Sequence, residues 1–531
     1  MQYKVCITAA GIGTRISKIS SINKALLPVG FESILTKIIN KFPKKIEIII
    51  AVGHQKEKVI EFLKISHGNR KIKIVEVDNF DKPGSGPGYS MLKCSKYLQC
   101  PFIFVACDTL VKEKIPEPTK NWIGISKVED PESFLVVEKE KDYAKRFFDK
   151  KSKNYLYWNG YKNSDCNCFI GLAGIKNYRT FWQSLKKNKS LNDGELQVSN
   201  GLDGLRNKKI ICKKFKWFDT GNEFNYIKTL NYYNKDYILP KPDEYFYKEK
   251  NLIIKYFKDK NKAKGRYERG LYLKNLVPKL NNKKPNNFIS YNYINGKLLS
   301  NIKNISVFKK FLLFCNDNLW SENYKKFNYK PEINKLDQAC KQFYKEKTYQ
   351  RVSEYIDKYK VEDEPSIINN QKIPKTSELL KRIDWKEFCK PHPVMFHGDL
   401  QPENIIYTKK KKFYLIDWRE DFGGLKVVGD LYYDLAKLHH ALIVNGQIIR
   451  DNQFKVKVKN NRVNVSVKKR KHLSSYLNEL ESFVKQKNWS LKKLKIMSSL
   501  IYLNIAVLHH YPYSEFLYNF GKYNLFKALK K

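Results

Sequence analysis

Four short strand-like runs, at residues 3–8, 46–52, 71–77 and 102–106, punctuate the start of the chain, those at 46–52 and 102–106 almost unbroken in apolar residues. Helix-like segments at 32–40, 55–63 and 89–97 stand between them. A strand with no polar alternation has no face to offer water, so it must be covered on both sides. Helices that cross between parallel strands supply that cover. The region is therefore predicted to be α/β, a mainly parallel mixed sheet, with ligands at the carboxyl ends of its strands.

With 531 residues the chain exceeds what one hydrophobic core usually supports, so two or more domains are expected. A shift in composition across NYYNKDYILPKPDEY marks a linker at 233–244, separating a domain at 1–232 from one at 245–531. The second region opens with short strand-like runs and turns helical after about Val307. Its predicted class is α+β, in two lobes.

The ten cysteines show no paired framework. Cys166 and Cys168 form a lone CxC without the second half of a zinc site. A reducing cytoplasm is the expected location. The start MQYKVCITAAG has no long apolar core followed by a cleavage site. The most apolar later segment, 497–511, contains Asn504, His509 and His510 and is too short and polar to cross a bilayer. No membrane span is expected.

A formal net charge of +48 could attract nucleic acid or anionic surfaces. Lysine and asparagine are abundant throughout, however, which points to compositional drift rather than one basic patch. The densest cluster, FKVKVKNNRVNVSVKKRK at 454–471, alternates valine with lysine or polar residues around Asn460-Asn461, the pattern of a β-hairpin with one wet face. No nucleic-acid reader motif accompanies it, and no specific nucleic-acid partner is expected.

In ITAAGIGTRISKISSINKALLPVG a strand enters a glycine turn spanning Ala9, Ala10, Gly11, Gly13 and Thr14, followed by Arg15 and Lys24. Gly11 and Gly13 permit close approach of the backbone to a triphosphate. Position 16 is isoleucine where a dinucleotide fingerprint needs glycine, and the Gly-Lys-Ser/Thr of a P-loop is missing. Asp108 ends the apolar strand of FIFVACDTL, and Asp219 lies in KWFDTGN.

Taken in order, these motifs resemble the nucleotidyltransferases that make activated sugars and activated choline, with a Gly-x-Gly-[Thr/Ser]-Arg turn and a lysine near Leu27-Pro28. The resemblance covers residues 1 to about 232. It implies a Rossmann-like GT-A fold, Asp108 and Asp219 as Mg²⁺ ligands, and Arg15 and Lys24 as the cations that stabilise attacking and departing phosphates. The loop KPGSGPGYS, with Gly86, is expected near the nucleotide because it precedes a helix at a strand end, and Glu195 is a candidate for the acceptor.

A second motif stands far downstream. In FHGDLQPENII, His397, Asp399 and Asn404 keep the HxDxxxxN spacing of kinase catalytic loops. The strand-like FYLI then ends at Asp417 in LIDWRE. The spelling Asp421-Phe422-Gly423 imitates the protein-kinase metal motif but falls beyond the strand, so the metal is assigned to Asp417 and Asn404. Asp399 is assigned the acceptor hydroxyl.

This segment resembles the choline-kinase and aminoglycoside-phosphotransferase family, which implies a protein-kinase-like fold. Asp430 and Asp434, in DLYYDLAKL, are expected to cap and pack. Lys255 in NLIIKYF is the candidate for the ATP phosphates, Glu268 its candidate partner, and 289–300 the link between lobes.

The two resemblances together imply a bifunctional enzyme. The kinase would phosphorylate a small hydroxyl compound with ATP, and the nucleotidyltransferase would join that phosphate to a nucleoside monophosphate from CTP, UTP or GTP, with Mg²⁺ in both steps. Choline with CTP is the favoured pair, a sugar 1-kinase with a sugar-1-phosphate nucleotidyltransferase the alternative, and a nucleic-acid-binding protein or a non-catalytic scaffold the alternatives from other classes. The product would be an activated precursor for surface glycan or lipid.

Overall fold

The computed structural model describes residues 2–16, 21–128, 131–148, 166–233, 243–459 and 461–530. The chain divides into two compact units, one of Met1–Lys260 with Pro285–Tyr291, the other of Asn261–Lys284 with Asn292–Lys531.

The apolar runs of the first unit form strands Lys4–Ala9, Ile48–Val52, Ile72–Glu76 and Phe102–Ala106. They lie side by side in parallel, in the order 72–76, 48–52, 4–9, 102–106. Helices Ile34–Ile39, Lys56–Ser66 and Pro87–Cys94 connect them, close to the segments expected from sequence. Beyond Phe102–Ala106 the sheet becomes mixed. Asn167–Ile175 runs antiparallel to it, followed by Trp122–Lys127, Ile211–Lys214, Tyr143–Phe148 and Val136–Glu140, to make nine strands.

Gly174 shows how closely the faces of this sheet are filled. It pairs with Trp122 across the ladder, and a methyl group there would come within 2.1 Å of Trp122 Nε1. Only a residue without a side chain lets the indole lie flat on the strand.

The boundary between domains differs from the expected one. Strands Glu244–Glu249, Leu252–Phe257 and Phe288–Asn292 form a three-stranded sheet, and Tyr245, Tyr247, Ile254, Tyr256 and Phe288 enter the same apolar core as Val5, Leu26 and Phe62. The Tyr247 hydroxyl donates to Leu26 O at 2.7 Å, and Phe62 packs against the Tyr247 and Phe288 rings. The aromatic face of this sheet thus completes the first unit, so residues from 243 to 260 group with it and not with a domain beginning at 245. Lys255 accordingly lies in the first unit and Glu268 in the second. Residues 234–242, which contain most of the expected linker, lie outside the described residues.

The second unit is largely helical. Leu491–Ala506 packs on both Leu431–Ile443 and Tyr513–Lys530. A small antiparallel sheet of Gly296–Leu298, Ile405–Thr408 and Phe413–Leu415 carries the loop of interest. The valine-lysine repeat forms the expected hairpin, Phe454–Lys459 with Arg462–Val467. Among the described residues, no helix is long and apolar enough to cross a membrane.

Replacing Gly174 with alanine should force Trp122 off the sheet, at a cost of about 1–3 kcal/mol. Urea unfolding of the full chain followed by tryptophan fluorescence should show a lower midpoint; an unchanged midpoint would contradict this packing.

Candidate functional site

The site of the first unit is built by one short ladder. After Phe102–Ala106 the chain turns and forms Thr109–Val111, which pairs antiparallel with Trp217–Asp219 so that Asp219 stands opposite Thr109. That register sets Asp219 beside Asp108, and Thr220 secures it by donating its N–H and its hydroxyl to Asp108 O, both at 3.0 Å. The next residue, Gly221, leaves a cradle. A methyl group there would lie 3.1 Å from Asp219 Oδ1, 3.2 Å from Asp108 Oδ2 and 3.6 Å from Arg15 Nη2.

The cationic side of the cleft comes from the glycine turn. Gly13 has φ +71°, the left-handed region that favours glycine. Asn23, almost fully buried, donates to Ala9 O at 3.1 Å and His54 O at 2.8 Å, while its Oδ1 accepts from Ala25 N. Asn23 thereby ties the turn to the end of the first strand and places Lys24 Nζ 2.7 Å from Asp108 Oδ2.

Burial opposes ionisation of Asp108, but Lys24 and Arg15 outweigh it and hold the carboxyl below its ordinary pKa. Asp219 shifts the other way. Burial and the nearby Asp108 charge push it up, although Asn225 Nδ2 and the Gly221 N–H both donate to it.

The cleft has a volume of about 450 Å³ and is lined by Ala10, Gly11, Gly13 and Thr14 on one side and by Asp108 and Asp219 on another. Arg15, Lys24 and Gly86 also face it, whereas Ala9 lies in the core and is not part of its wall. The 82–90 loop reaches the cleft through Ser85, Gly86 and Ser90. Ser85 O accepts from Leu196 N at 2.7 Å, and Gly84 N donates to Gly194 O at 2.7 Å, which fastens this loop to the segment bearing Glu195. Gly86, at φ +110°, leaves no room for a side chain, since a methyl group would stand 2.8 Å from Leu196 O. Glu195 lines the cleft and accepts a hydrogen bond from Gln197.

The donor set suits Mg²⁺. Asp108 and Asp219 are hard oxygen ligands that converge on the Gly221 cradle. Among the described residues, no cluster of three or more His, Cys, Asp or Glu side chains forms. Two carboxylates that leave the remaining coordination to phosphate oxygens and water are what Mg²⁺ ordinarily takes.

In the second unit, Asp399 half-emerges from a tightly bonded loop. Its Oδ1 accepts from Gln401 Nε2 at 2.8 Å and from Lys437 Nζ at 3.0 Å. Asn404 Nδ2 donates to Asp399 O at 2.8 Å and to its Oδ2 at 3.1 Å. Ile416 N donates to Asn404 O at 2.9 Å, which brings the following residue, Asp417, alongside. Asp417 has φ +60°. A left-handed aspartate after a strand is an uncommon conformation of the kind found at ligand sites. Arg266 Nη1 stands 4.0 Å from Asp417 Oδ1. Asp421 lies in a turn, where its Oδ1 accepts from Gly424 N.

Arg269 and Asp434, both buried, hold this loop from beneath. Arg269 donates to Phe396 O, to Arg419 O at 2.7 Å and to Lys426 O at 3.0 Å, and lies 3.7 Å over the Phe396 ring. Asp434 accepts the N–H groups of His397 and Gly398, each at 2.7 Å. Burial pushes its pKa up to about 6 despite those bonds. His397 uses both ring nitrogens. Nε2 lies 2.9 Å from Ile416 O, and Nδ1 accepts from Asp399 N at 3.2 Å. That pattern requires the neutral Nε2–H tautomer, and burial lowers the His397 pKa to about 4.

Glu268 is ion-paired to Lys426. Lys255 Nζ lies 5.9 Å from the Phe246 ring. Sequence reasoning missed Arg269, adjacent to the glutamate it selected, and Lys437, one turn after Tyr433 on the helix it had marked. With 101 Lys and Arg in the chain, nothing in the sequence set either one apart from its many like neighbours.

No protein-family profile matches the chain. Curated relatives are proteins named bifunctional protein GlmU. One from Methanococcus vannielii is 28% identical over 244 residues, 44% of this chain and 56% of its own length. Another, from Methanococcus aeolicus, is 33% identical over 137 residues, 25% of this chain and 32% of its own. The chain spans about half the length of the first of these relatives. Among solved structures, the CTP:phosphocholine cytidylyltransferase of Streptococcus pneumoniae (LicC) is 16% identical, with 44% of this chain and 100% of that one covered, at a TM-score of 0.35. A UDP-glucose pyrophosphorylase from Acinetobacter baumanii is 15% identical, with 45% and 96% covered, at a TM-score of 0.35.

Asp219→Asn removes one of two apposed carboxylates. It should weaken Mn²⁺ binding, read by electron paramagnetic resonance, at least tenfold while thermal stability stays level or rises; undiminished Mn²⁺ affinity would contradict the cradle assignment. A histidine with a depressed pKa contributes stability that is complete above about pH 6.5 and lost as pH falls towards 4. The destabilisation caused by His397→Asn should therefore shrink by about 3 kcal/mol between those limits, measured by denaturant unfolding at each pH. A constant difference would contradict a neutral buried His397.

Proposed function

We propose that the first unit transfers a nucleoside monophosphate from a nucleoside triphosphate to a phosphorylated acceptor, and that the second unit makes that acceptor by phosphorylating a small hydroxyl compound with ATP. The observation that supports it most is the Gly221 cradle, where two carboxylates and Arg15 converge in a cleft walled by a glycine turn. The sequence similarity of the N-terminal region to the GlmU proteins is in keeping with it.

In the first reaction an acceptor phosphate oxygen forms a bond to the α-phosphorus while the bond to the pyrophosphate oxygen breaks. Negative charge spreads over both groups. Asp108 and Asp219 would hold Mg²⁺, which when bound neutralises phosphate charge and orients the triphosphate. Lys24, paired with Asp108, and Arg15 are placed to meet the charge of attacking and departing phosphates. The amides of the 11–14 turn supply further donors without a cost of reorganisation.

In the second reaction the acceptor hydroxyl oxygen forms a bond to the γ-phosphorus of ATP, and the bond to the ADP oxygen breaks. Asn404 and Asp417 would hold the Mg²⁺ of ATP. Asp399 receives the hydroxyl hydrogen bond and directs the oxygen. Burial opposes its ionisation, but Lys437 and Gln401 hold its carboxyl well below the ordinary range, so it orients the hydroxyl early and takes the proton only as the oxygen–phosphorus bond forms.

With ATP, CTP, UTP, GTP, Mg²⁺ and a panel of free acceptors, the wild-type chain should yield a nucleotide conjugate detectable by mass spectrometry. Asp399→Ala should abolish it unless phosphorylated acceptor is added, whereas Asp108→Ala should stop at the phosphorylated acceptor. Conjugate formation by both variants would overturn the assignment of the two steps.

A further inference from the structure

The groups beside Asp399 carry information about the acceptor itself. Lys437 is 3.0 Å from the carboxylate. One turn earlier on the same helix, the Tyr433 hydroxyl lies 3.1 Å from Arg419 Nη1, which donates to it. Arg419 is fixed against the loop. Its N–H donates to His397 O at 2.9 Å, and a methyl group on Gly398 would come within 2.5 Å of its Cβ.

A π-helical turn, Lys341–Glu346, presents Phe343 to the same place. The Arg419 guanidinium lies 4.8 Å, and Lys347 Nζ 5.2 Å, from the centre of the Phe343 ring. Three cations therefore gather at Tyr433 and Phe343; Asp399 lies against Lys437, and Glu420 and Asp421 also act on Arg419 without bonding it. The three cations hold the Tyr433 hydroxyl below its ordinary pKa against the effect of burial.

The other acids in this region are engaged. Glu420 is 3.5 Å from Arg266, Asp434 bonds the loop amides, and Asp421 caps its turn. Among the described residues, neither Arg419 nor Lys347 has a carboxylate within ion-pair distance. Like charges kept together at a half-buried place are costly until an anion joins them. A quaternary ammonium would find the opposite of what it needs, because the Phe343 ring is already covered by cations.

We propose that the acceptor bound against Asp399 is an anion, a small hydroxyl compound whose carboxylate or phosphate is held by Arg419 and Lys347, and not an amino alcohol. This rests on the phosphotransferase reading of the second unit. Arg419 offers the paired donors that a carboxylate or phosphate accepts, Lys347 adds charge, and Lys437 keeps Asp399 ionised beside the hydroxyl.

The test is acceptor binding and turnover by the full chain at pH 7 with Mg²⁺, using the non-hydrolysable ATP analogue AMP-PNP for binding and ATP for turnover. Glucose, glucuronate and glucosamine form one matched set; glycerol, glycerol 3-phosphate and choline form another. Glucuronate or glycerol 3-phosphate should bind at least tenfold tighter than its neutral counterpart, the two arms separating carboxylate from phosphate recognition. Lys347→Gln should erase most of that preference through KM, and Lys347→Glu should turn it towards the cations. Anions binding no better than their neutral counterparts, or choline or glucosamine binding best, would overturn the proposal while leaving the kinase reading intact. A chain that neither binds AMP-PNP nor consumes ATP with any acceptor would overturn the kinase reading and the proposal with it, and the ATP signal tells the two failures apart.

Discussion

The candidate chemistry of the first unit depends on the register between Thr109–Val111 and Trp217–Asp219. Two acids 111 positions apart in the chain become neighbours because one short ladder sets Asp219 opposite Thr109. A slip of one residue would turn Asp219 to the other face and dissolve the cradle at Gly221. The cations follow from the same economy. Asn23 bonds two carbonyls and caps the turn, so Lys24 reaches Asp108 without a long flexible search. Two cations, Arg15 and Lys24, thus stand against the paired acids Asp108 and Asp219 in one cleft.

The second unit solves a similar problem with buried polar groups. Arg269 engages four backbone carbonyls, and Asp434 takes two backbone N–H groups of the loop. Burying an arginine and an aspartate is unfavourable unless their bonding capacity is filled, and here it is filled by the loop that carries Asp399. A rigid loop can hold Asp399 and Asn404 in register with Asp417, itself in a left-handed conformation.

Much of this was legible in the sequence, and the reasons differ by feature. Apolar runs at 48–52 and 102–106 announce strands buried on both faces, and the half-buried 72–76 at the sheet edge and 4–9 follow the same strand–helix alternation. Asp108, Asp219, Asp399 and Asp417 end strands or follow glycine-rich or aromatic signals, so chemistry and position pointed the same way. The sheet of 244–257 and 288–292 was read onto the wrong unit because a run such as EYFYKE shows that a face is aromatic but not which core it fills. Arg269 and Lys437 escaped because, in a chain with 101 Lys and Arg, a single cation carries almost no signal until its neighbours are known. The cationic setting of Asp399 arises from residues 347, 419 and 437, whose conjunction no spacing rule announces.

The most direct measurement of the central claim is the fate of the ATP γ-phosphoryl group. The full chain would be supplied with ATP carrying ¹⁸O in that group, an unphosphorylated acceptor and a second nucleoside triphosphate, and the products read by ³¹P nuclear magnetic resonance. If the two units act in sequence, the isotope shift appears on the acceptor-side phosphorus of a nucleotide conjugate. Label found only in inorganic phosphate, or a conjugate whose acceptor-side phosphorus carries none, would contradict the account.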